Sequence, residues 1–321
     1  MSAMDLLQPR PLGRTSLSVT GVGVGASPLG GGGGMTRIYG HDTTYDDGVA
    51  TARRALDSPL SFLDTSNAYG DSERRIGAAI AARGGLPAGY VLATKVDADP
   101  ETRAYDGARV RRSFETSLER LGVSRIQLLH LHDPEFDVSF EDSMAPGGAV
   151  EELRRLRDEG FVDFLGIATG NLTTTARYLE TGVFDVVLTH NRYTLVDRSA
   201  ERVIARAAEL GIGVINAAPF GGGVLARRPG PGIGYSYGSG SDAQLQAVHR
   251  MWDVAEAAGV PLAAAALAFA AARPEIDSVL VGCSRPDRID ELVRLAQTPL
   301  PDGLLAELDA LCPPREDWLE P

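Results

Sequence analysis

Cysteine is nearly absent from the chain. Cys283 and Cys312 are the only two in 321 residues, too few for a disulfide framework, and no zinc ligand spacing is present. A basic excess is missing as well. The 31 Lys and Arg stand against 43 Asp and Glu, and a net charge of −12 gives no electrostatic footprint for nucleic acid. Long hydrophobic runs are lacking. The longest, residues 262–272, is Ala-rich and far short of the roughly 20 residues that span a bilayer. The opening MSAMDLLQPRPLG has no apolar stretch of secretory-signal length. The expectation is therefore a cytoplasmic, reduced compartment, with neither nucleic acid nor membrane as partner. There is no G-K-[ST] phosphate loop. GVGVG at 21–25 fits only G-x-G-x-G and runs into more glycine rather than a helix, which excludes a Rossmann fingerprint. With no linker and no repeat, residues 1–321 read as a single domain with ample material for a core.

What is present is alternation. Short β-type runs occur at 17–24, 61–64, 89–95, 126–132, 163–168, 183–189, 213–217 and 278–281. Amphipathic segments lie between them. In 108–121 and 200–210 the apolar positions recur three and four apart, the signature of a helix with one buried face. Gly122 and Gly211 follow as C-caps, and Thr173 and Ser199 are N-cap candidates. Eight strand–helix units predict an α/β parallel sheet closed into a (β/α)8 TIM barrel, with a doubly wound open sheet as the structural alternative. Three long connections, 28–40, 133–148 and 220–242, would stand at the C-terminal mouth, where substrate walls and lids are built.

Three successive β-type runs end in groups suited to proton transfer. The run LSFLD ends in Asp64, with Tyr69 five residues later on a loop; YVLATK ends in Lys95; IQLLHLH ends in His132. A phenol has an unperturbed pKa of about 10, and a neighbouring cation favours its phenolate. Lys95 is the candidate cation, and Asp64 the carboxylate that holds it charged. The same pair would also serve as a structural ion pair. His130 and His132 are two apart and share a face, so alternation cannot choose between them.

This pattern resembles the aldo-keto reductases. The matching residues are Asp64 and Tyr69-Gly70 in D-x-x-x-x-Y-G, Lys95 at the next strand end, and His132 directly before Asp133-Pro134. The resemblance extends from LGRTSLSVTGVGVG to VLVGCSRPDRI, nearly the whole chain. It implies a catalytic tetrad of Asp64, Tyr69, Lys95 and His132, with Tyr69 as general acid and base, and leaves His130 deeper in the barrel.

The resemblance also implies a nicotinamide dinucleotide, NAD or NADP, held without a Rossmann domain. The family's Ser-Asn pair for the carboxamide reads Ala168-Thr169 here, with Asn171 close by. Its Gln reads His190, followed by Asn191, and its stacking aromatic falls at Ala217. Thr169, Asn171, His190 and Asn191 are the replacement polar groups, and Phe220 or a loop residue is expected to cover the ring. The phosphates are expected on Pro219, Phe220, Gly221, Gly223 and Leu225, and on Gly282, Cys283 and Ser284 with Arg288. The Lys that helps select a 2′-phosphate in some relatives falls at Gly282, which points to NAD. Cys283 reads as a packing residue.

Within the family, HNRYTLVDR and VINAAPFGGGVLA look most like the aldose dehydrogenase branch, similar to L-fucose or L-galactose dehydrogenase. The small-molecule substrate implied is a sugar of L-fucose, L-galactose or D-arabinose type, oxidised at its anomeric carbon to a lactone. Pyridoxal, or another aldehyde or ketone, is the alternative, and Tyr39, Tyr45, Phe136, Tyr235 and Tyr237 would wall either. Two rivals belong to other classes. A glycoside hydrolase would need paired carboxylates, for which Asp64 and Asp133 stand, but Lys95 neutralises the first. A non-catalytic nicotinamide-sensing subunit would bind the dinucleotide and barely turn over.

Overall fold

A computed structural model of the chain describes residues 5–32, 42–230 and 233–320. Eight parallel strands close a barrel in chain order. They are β3 (Val22–Gly25), β4 (Phe62–Asp64), β5 (Val91–Val96), β6 (Ile126–His132), β7 (Val162–Ala168), β8 (Val186–His190), β9 (Gly213–Ala217) and β10 (Ser278–Gly282). Ahead of them, β1 (Pro9–Pro11) and β2 (Ser18–Thr20) form an antiparallel hairpin.

The expected first strand at 17–24 is therefore two strands. Gly21 is the break: a Cβ there would lie 2.4 Å from the Arg10 guanidinium, whose Nε donates to Asp277 O at 2.7 Å. The hairpin delivers Leu12 and Val19, both fully buried, into the apolar cluster that fills the barrel interior. It closes the N-terminal end of the barrel, opposite the mouth.

Helices cover the outside. Those between barrel strands are α1 (Tyr45–Leu56), α2 (Ser72–Arg83), α3 (Gly107–Leu121), α4 (Phe140–Met144), α5 (Ala149–Asp158), α6 (Leu172–Leu179), α7 (Glu201–Glu209), α8 (Asp242–Ala257) and α9 (Leu262–Ala272); α10 (Pro286–Ala296) and α11 (Leu304–Asp309) follow β10. One cluster of buried aliphatics joins the sheet to this layer. A second ties α8, α9 and α11 together under Tyr235. No single helix among the described residues is long and apolar enough to cross a membrane.

Local chemistry accounts for the helix ends. Gly122 ends α3 in the left-handed region at φ +66° and donates to Leu118 O, as expected of a C-cap. The two N-cap expectations are corrected. Asn171, two residues before Thr173, accepts from Thr174 N–H and caps α6. Ala200 precedes α7 with no side-chain cap, because the Ser199 hydroxyl donates instead to Asp197 Oδ1 at 2.6 Å.

Strand alternation places every second residue inside the barrel. The inward series run Phe62, Asp64; Val91, Ala93, Lys95; Leu128, His130, His132; Phe164, Gly166, Ala168; and Val186, Leu188, His190. The lower members of each series pack the interior cluster, and the upper ones reach the mouth. Because the strands are staggered, Asp64 pairs across with Ala93, and Lys95 with His130. Gly166 makes room for the fully buried His130, since a Cβ at 166 would sit 2.1 Å from His130 Nδ1. Gly166→Ala is expected to displace that ring and lower stability by about 1–3 kcal/mol, read as a drop in urea midpoint at constant slope.

Candidate active site

The three strand-end groups and Tyr69 meet at the mouth. Lys95 is 1% exposed, and its ammonium donates to Asp64 Oδ1 and, at 2.6 Å, to Thr65 O. Burial pushes the Asp64 carboxyl up, and the Lys95 ammonium pulls it back. Asp64 Oδ2 has no hydrogen-bond partner among the described residues and lies 3.9 Å from His130 Nε2. Burial first, then the Lys95 and His132 charges, hold His130 well below the ordinary histidine value, so its ring is neutral.

Tyr69 stands on the short loop between β4 and α2. Gly70 beside it takes φ +52°, and a Cβ there would meet Gly30 O at 2.8 Å, so glycine is required twice over. Lys95 Nζ lies 4.8 Å from the centre of the Tyr69 ring. The His132 ring also meets Tyr69 edge to face, with centroids 5.7 Å apart. The phenol thus has an ammonium and an imidazole beside it, and all four residues singled out in the sequence are brought together.

One partner escaped the sequence reading. Asp97, just past the end of β5, places Oδ1 2.5 Å from His132 Nδ1. Its other oxygen accepts from Ser66 Oγ at 2.6 Å and from Ala68 N–H at 3.2 Å, both on the Tyr69 loop. Burial alone would lower the His132 value, but Asp97 and Asp133 outweigh it and raise it. Burial would likewise raise Asp97, and His132 and Ser66 bring it below the ordinary carboxylate value. The signal was available: 91, 93, 95 and 97 form one inward series.

The expected cofactor residues occupy the mouth at the ends of β7 to β10. The Thr169 hydroxyl donates to Glu135 Oε1 at 2.5 Å and accepts from Asn171 N–H at 2.9 Å, while the Asn171 side chain is taken up by its cap. His190 is lowered to about 4, first by burial, and is neutral; its Nδ1 lies 3.2 Å from Asn191 Nδ2. Asn191 adopts φ +59°. Among the described residues, Asn191 Oδ1 and Glu135 Oε2 are buried acceptors without a hydrogen-bond partner. After β9, Gly221, Gly222 and Gly223 all take positive φ; the Tyr235 ring packs against Gly221 and Tyr237 against Gly222, and only Gly223 has open space where a Cβ would lie. Pro219 and Phe220 lead into this turn, and Phe220 packs partly buried against both outer clusters. Leu225, expected to contact the phosphates, is corrected: it is wholly buried in the outer core and its N–H donates to Phe220 O, so it is a packing residue. Gly282 ends β10, followed by Cys283, Ser284 and, on α10, Arg288. Burial pushes the Cys283 thiol up to about 12, as befits a packing residue. Arg288 pairs with Glu291 on the surface of α10.

The aromatic walls divide. Phe136 and Tyr237 are exposed, and Tyr45 is half exposed at the start of α1. Tyr235 is corrected: it is buried, its hydroxyl donating to Asn191 O at 2.5 Å, and it holds the β8 exit rather than a substrate. Tyr39 lies outside the described residues, as does part of the 28–40 connection.

Lys95→Met would leave the Asp64 carboxylate buried without its counter-charge. An uncompensated buried charge costs about 3–5 kcal/mol. The expected outcome is a loss of that size in urea unfolding at pH 7, largely relieved in the double variant Lys95→Met, Asp64→Leu.

The Aldo/keto reductase family model matches residues 22–312. The chain is 31% identical to L-galactose dehydrogenase of Arabidopsis thaliana over 99% of its length and 98% of that protein. It is 29% identical to D-threo-aldose 1-dehydrogenase of a Pseudomonas species, over 91% and 94% of the two chains. With pyridoxal 4-dehydrogenase of Microbacterium luteolum it shares 27% identity over 92% and 94%. An aldo-keto reductase from Bacillus halodurans, solved in a holo form, superposes with a TM-score of 0.73 at 22% identity, over 95% of this chain and 96% of that one, and has the same fold. An eight-stranded barrel, a mouth at which Asp64, Tyr69, Lys95 and His132 converge, and a family match over most of the length have one meaning: the chain is an oxidoreductase of the aldo/keto reductase family.

Proposed function

We propose that the chain is a nicotinamide-dependent aldose dehydrogenase, oxidising a sugar of L-fucose, L-galactose or D-arabinose type at the anomeric carbon to a lactone. The observation that carries the chemistry is the buried Lys95 ammonium, held on Asp64, 4.8 Å from the Tyr69 ring. The substrate class is supported by the two relatives named as sugar dehydrogenases at 31% and 29% identity. Residues 1–321 act in this reading as one barrel domain, in the cytoplasm.

The residues present fit a nicotinamide dinucleotide. Asn191 Oδ1 and Glu135 Oε2 are buried acceptors suited to a carboxamide N–H, and neutral His190 can donate or accept. The open backbone at Gly223, with Gly282, Ser284 and the start of α10, suits a pyrophosphate. Gly282, where some relatives carry a Lys for the 2′-phosphate, favours NAD. When bound, the oxidised nicotinamide accepts the hydrogen of the anomeric carbon as hydride.

The protein's own groups handle the proton. Lys95 favours the phenolate of Tyr69, which takes the proton of the anomeric hydroxyl as the carbonyl of the lactone forms. His132 stands at the edge of the Tyr69 ring, where its Nε2 orients the substrate oxygen. Asp64 is the fixed counter-charge of the Lys95 ammonium. An aldehyde such as pyridoxal is the second reading, carried by the relative that bears that name.

The test is the absorbance of reduced nicotinamide on mixing the protein with NAD or NADP and L-fucose, L-galactose, D-arabinose or pyridoxal. Reduction of NAD by a sugar is the expected outcome. Turnover of pyridoxal alone selects the second reading, and dinucleotide binding with no turnover points to a sensing subunit. Tyr69→Phe should reduce turnover about 10²–10⁴-fold with dinucleotide affinity nearly unchanged; retained activity would overturn the role of the phenol.

A further inference from the structure

The geometry points to Asp97 as a positioning residue that sets both the His132 ring and the loop carrying Tyr69 with one carboxylate. The inference rests on the proposed roles of Tyr69 and His132, neither of which Asp97 touches as a reacting group. Each oxygen has a separate task. Oδ1, 2.5 Å from His132 Nδ1, accepts the hydrogen bond of Nδ1–H and so leaves Nε2 for the mouth. Oδ2 accepts from Ser66 Oγ and from Ala68 N–H, the residue immediately before Tyr69. The His132 ring and the loop that carries Tyr69 are therefore tied to the same group.

Asp97 is itself fixed from behind. Its backbone N–H donates to Ser113 Oγ at 3.1 Å on α3, and its carbonyl accepts from Arg109 Nε at 2.9 Å. Ser113 also accepts from Asn67 Nδ2, through its carbonyl at 2.9 Å and its hydroxyl at 3.0 Å, so the Tyr69 loop is moored twice to the same turn of α3. The His132 backbone is held independently, its N–H donating to Tyr105 O–H at 3.0 Å. Only the ring orientation of His132 depends on Asp97.

Charge follows from this arrangement. The groups facing His132 are Lys95 and Asp97 from β5 and its exit, Asp64 from β4, Tyr69 from its loop, His130 on β6, Asp133 and Glu135 after it, and His190 from β8. Asp64 is matched by Lys95, and His130 and His190 are neutral near pH 7. Asp97 is the anion in hydrogen-bond contact with the ring, and Asp133 Oδ2 lies farther off, 3.6 Å from Nε2. The His132 value is thus raised above the ordinary one, and its ring and the Lys95 ammonium both lie against Tyr69. The stabilisation the His132 proton brings is fully present below about pH 6.5, the unfolded value. It is lost as pH rises through the folded value.

The experiment is Asp97→Asn, read in two ways. Asn keeps the shape but not the charge. An NMR titration of the His132 ring, which needs no substrate, should show proton affinity weakened at least about tenfold. Turnover of whichever substrate the protein oxidises should fall about 10–100-fold, with dinucleotide affinity within about threefold. An unmoved His132 titration in a folded variant overturns the proposal, as does turnover within twofold of the parent. Ser66→Ala keeps the charge and carries the test should Asp97→Asn not fold. It should lower turnover several-fold, and an unchanged rate would overturn the link to the Tyr69 loop. Failure of the substrate assignment alone leaves the NMR result standing.

Discussion

The mouth of this barrel is organised by one buried ion pair. Lys95 lies where an ammonium is costly, and Asp64, two strand positions from the apolar interior, makes it tolerable. Everything nearby is arranged to keep that charge in place and to use it. Thr65 O accepts a second hydrogen bond from the ammonium, Tyr69 sets its ring beside the charge, and His130 below is held neutral by burial first and then by the same field. A pair buried this deeply brings little stability in return for its desolvation, so its value lies in the field it projects toward the phenol.

A second carboxylate serves the other group that lies against Tyr69. Asp64 serves a lysine and Asp97 a histidine, and each anion sits at or just past a strand end. Polar groups are confined to the top of each inward series, while Phe62, Val91, Ala93 and Leu128 fill the layers below. The hairpin of β1 and β2 seals the other end with Leu12 and Val19, leaving the interior closed from beneath. Asp64, Lys95 and His132 are thus held by strand ends, and the Tyr69 loop is fastened to them.

Much of this was legible beforehand. The eight strands, the parallel barrel and the convergence of Asp64, Tyr69, Lys95 and His132 could be read because a period of two and abrupt apolar-to-polar ends are local signals. The first strand could not be divided correctly, because the break at Gly21 depends on Arg10 approaching from another segment. Ser199 looked like a cap, but its hydroxyl is captured by Asp197, whose side chain also accepts from Leu319 and Gln244. Tyr235 looked like a loop aromatic, yet the backbone of Asn191 draws it inside.

The sequence by itself determined which residues face the barrel axis and which of them are titratable, since strand periodicity needs only the order of side chains. It could not determine which polar groups meet. His132 lies 35 residues from Asp97, and their contact depends on the stagger of β5 against β6 and on the path of the loop after Asp64. Nor could it say whether a side chain was already committed. Asn171 is used as a helix cap, whereas Asn191, of the same type, keeps a buried oxygen without a partner. Hydrogen-bond satisfaction is a property of three-dimensional neighbours. For that reason the residue types were readable from the chain, and their roles were decided by the tertiary structure.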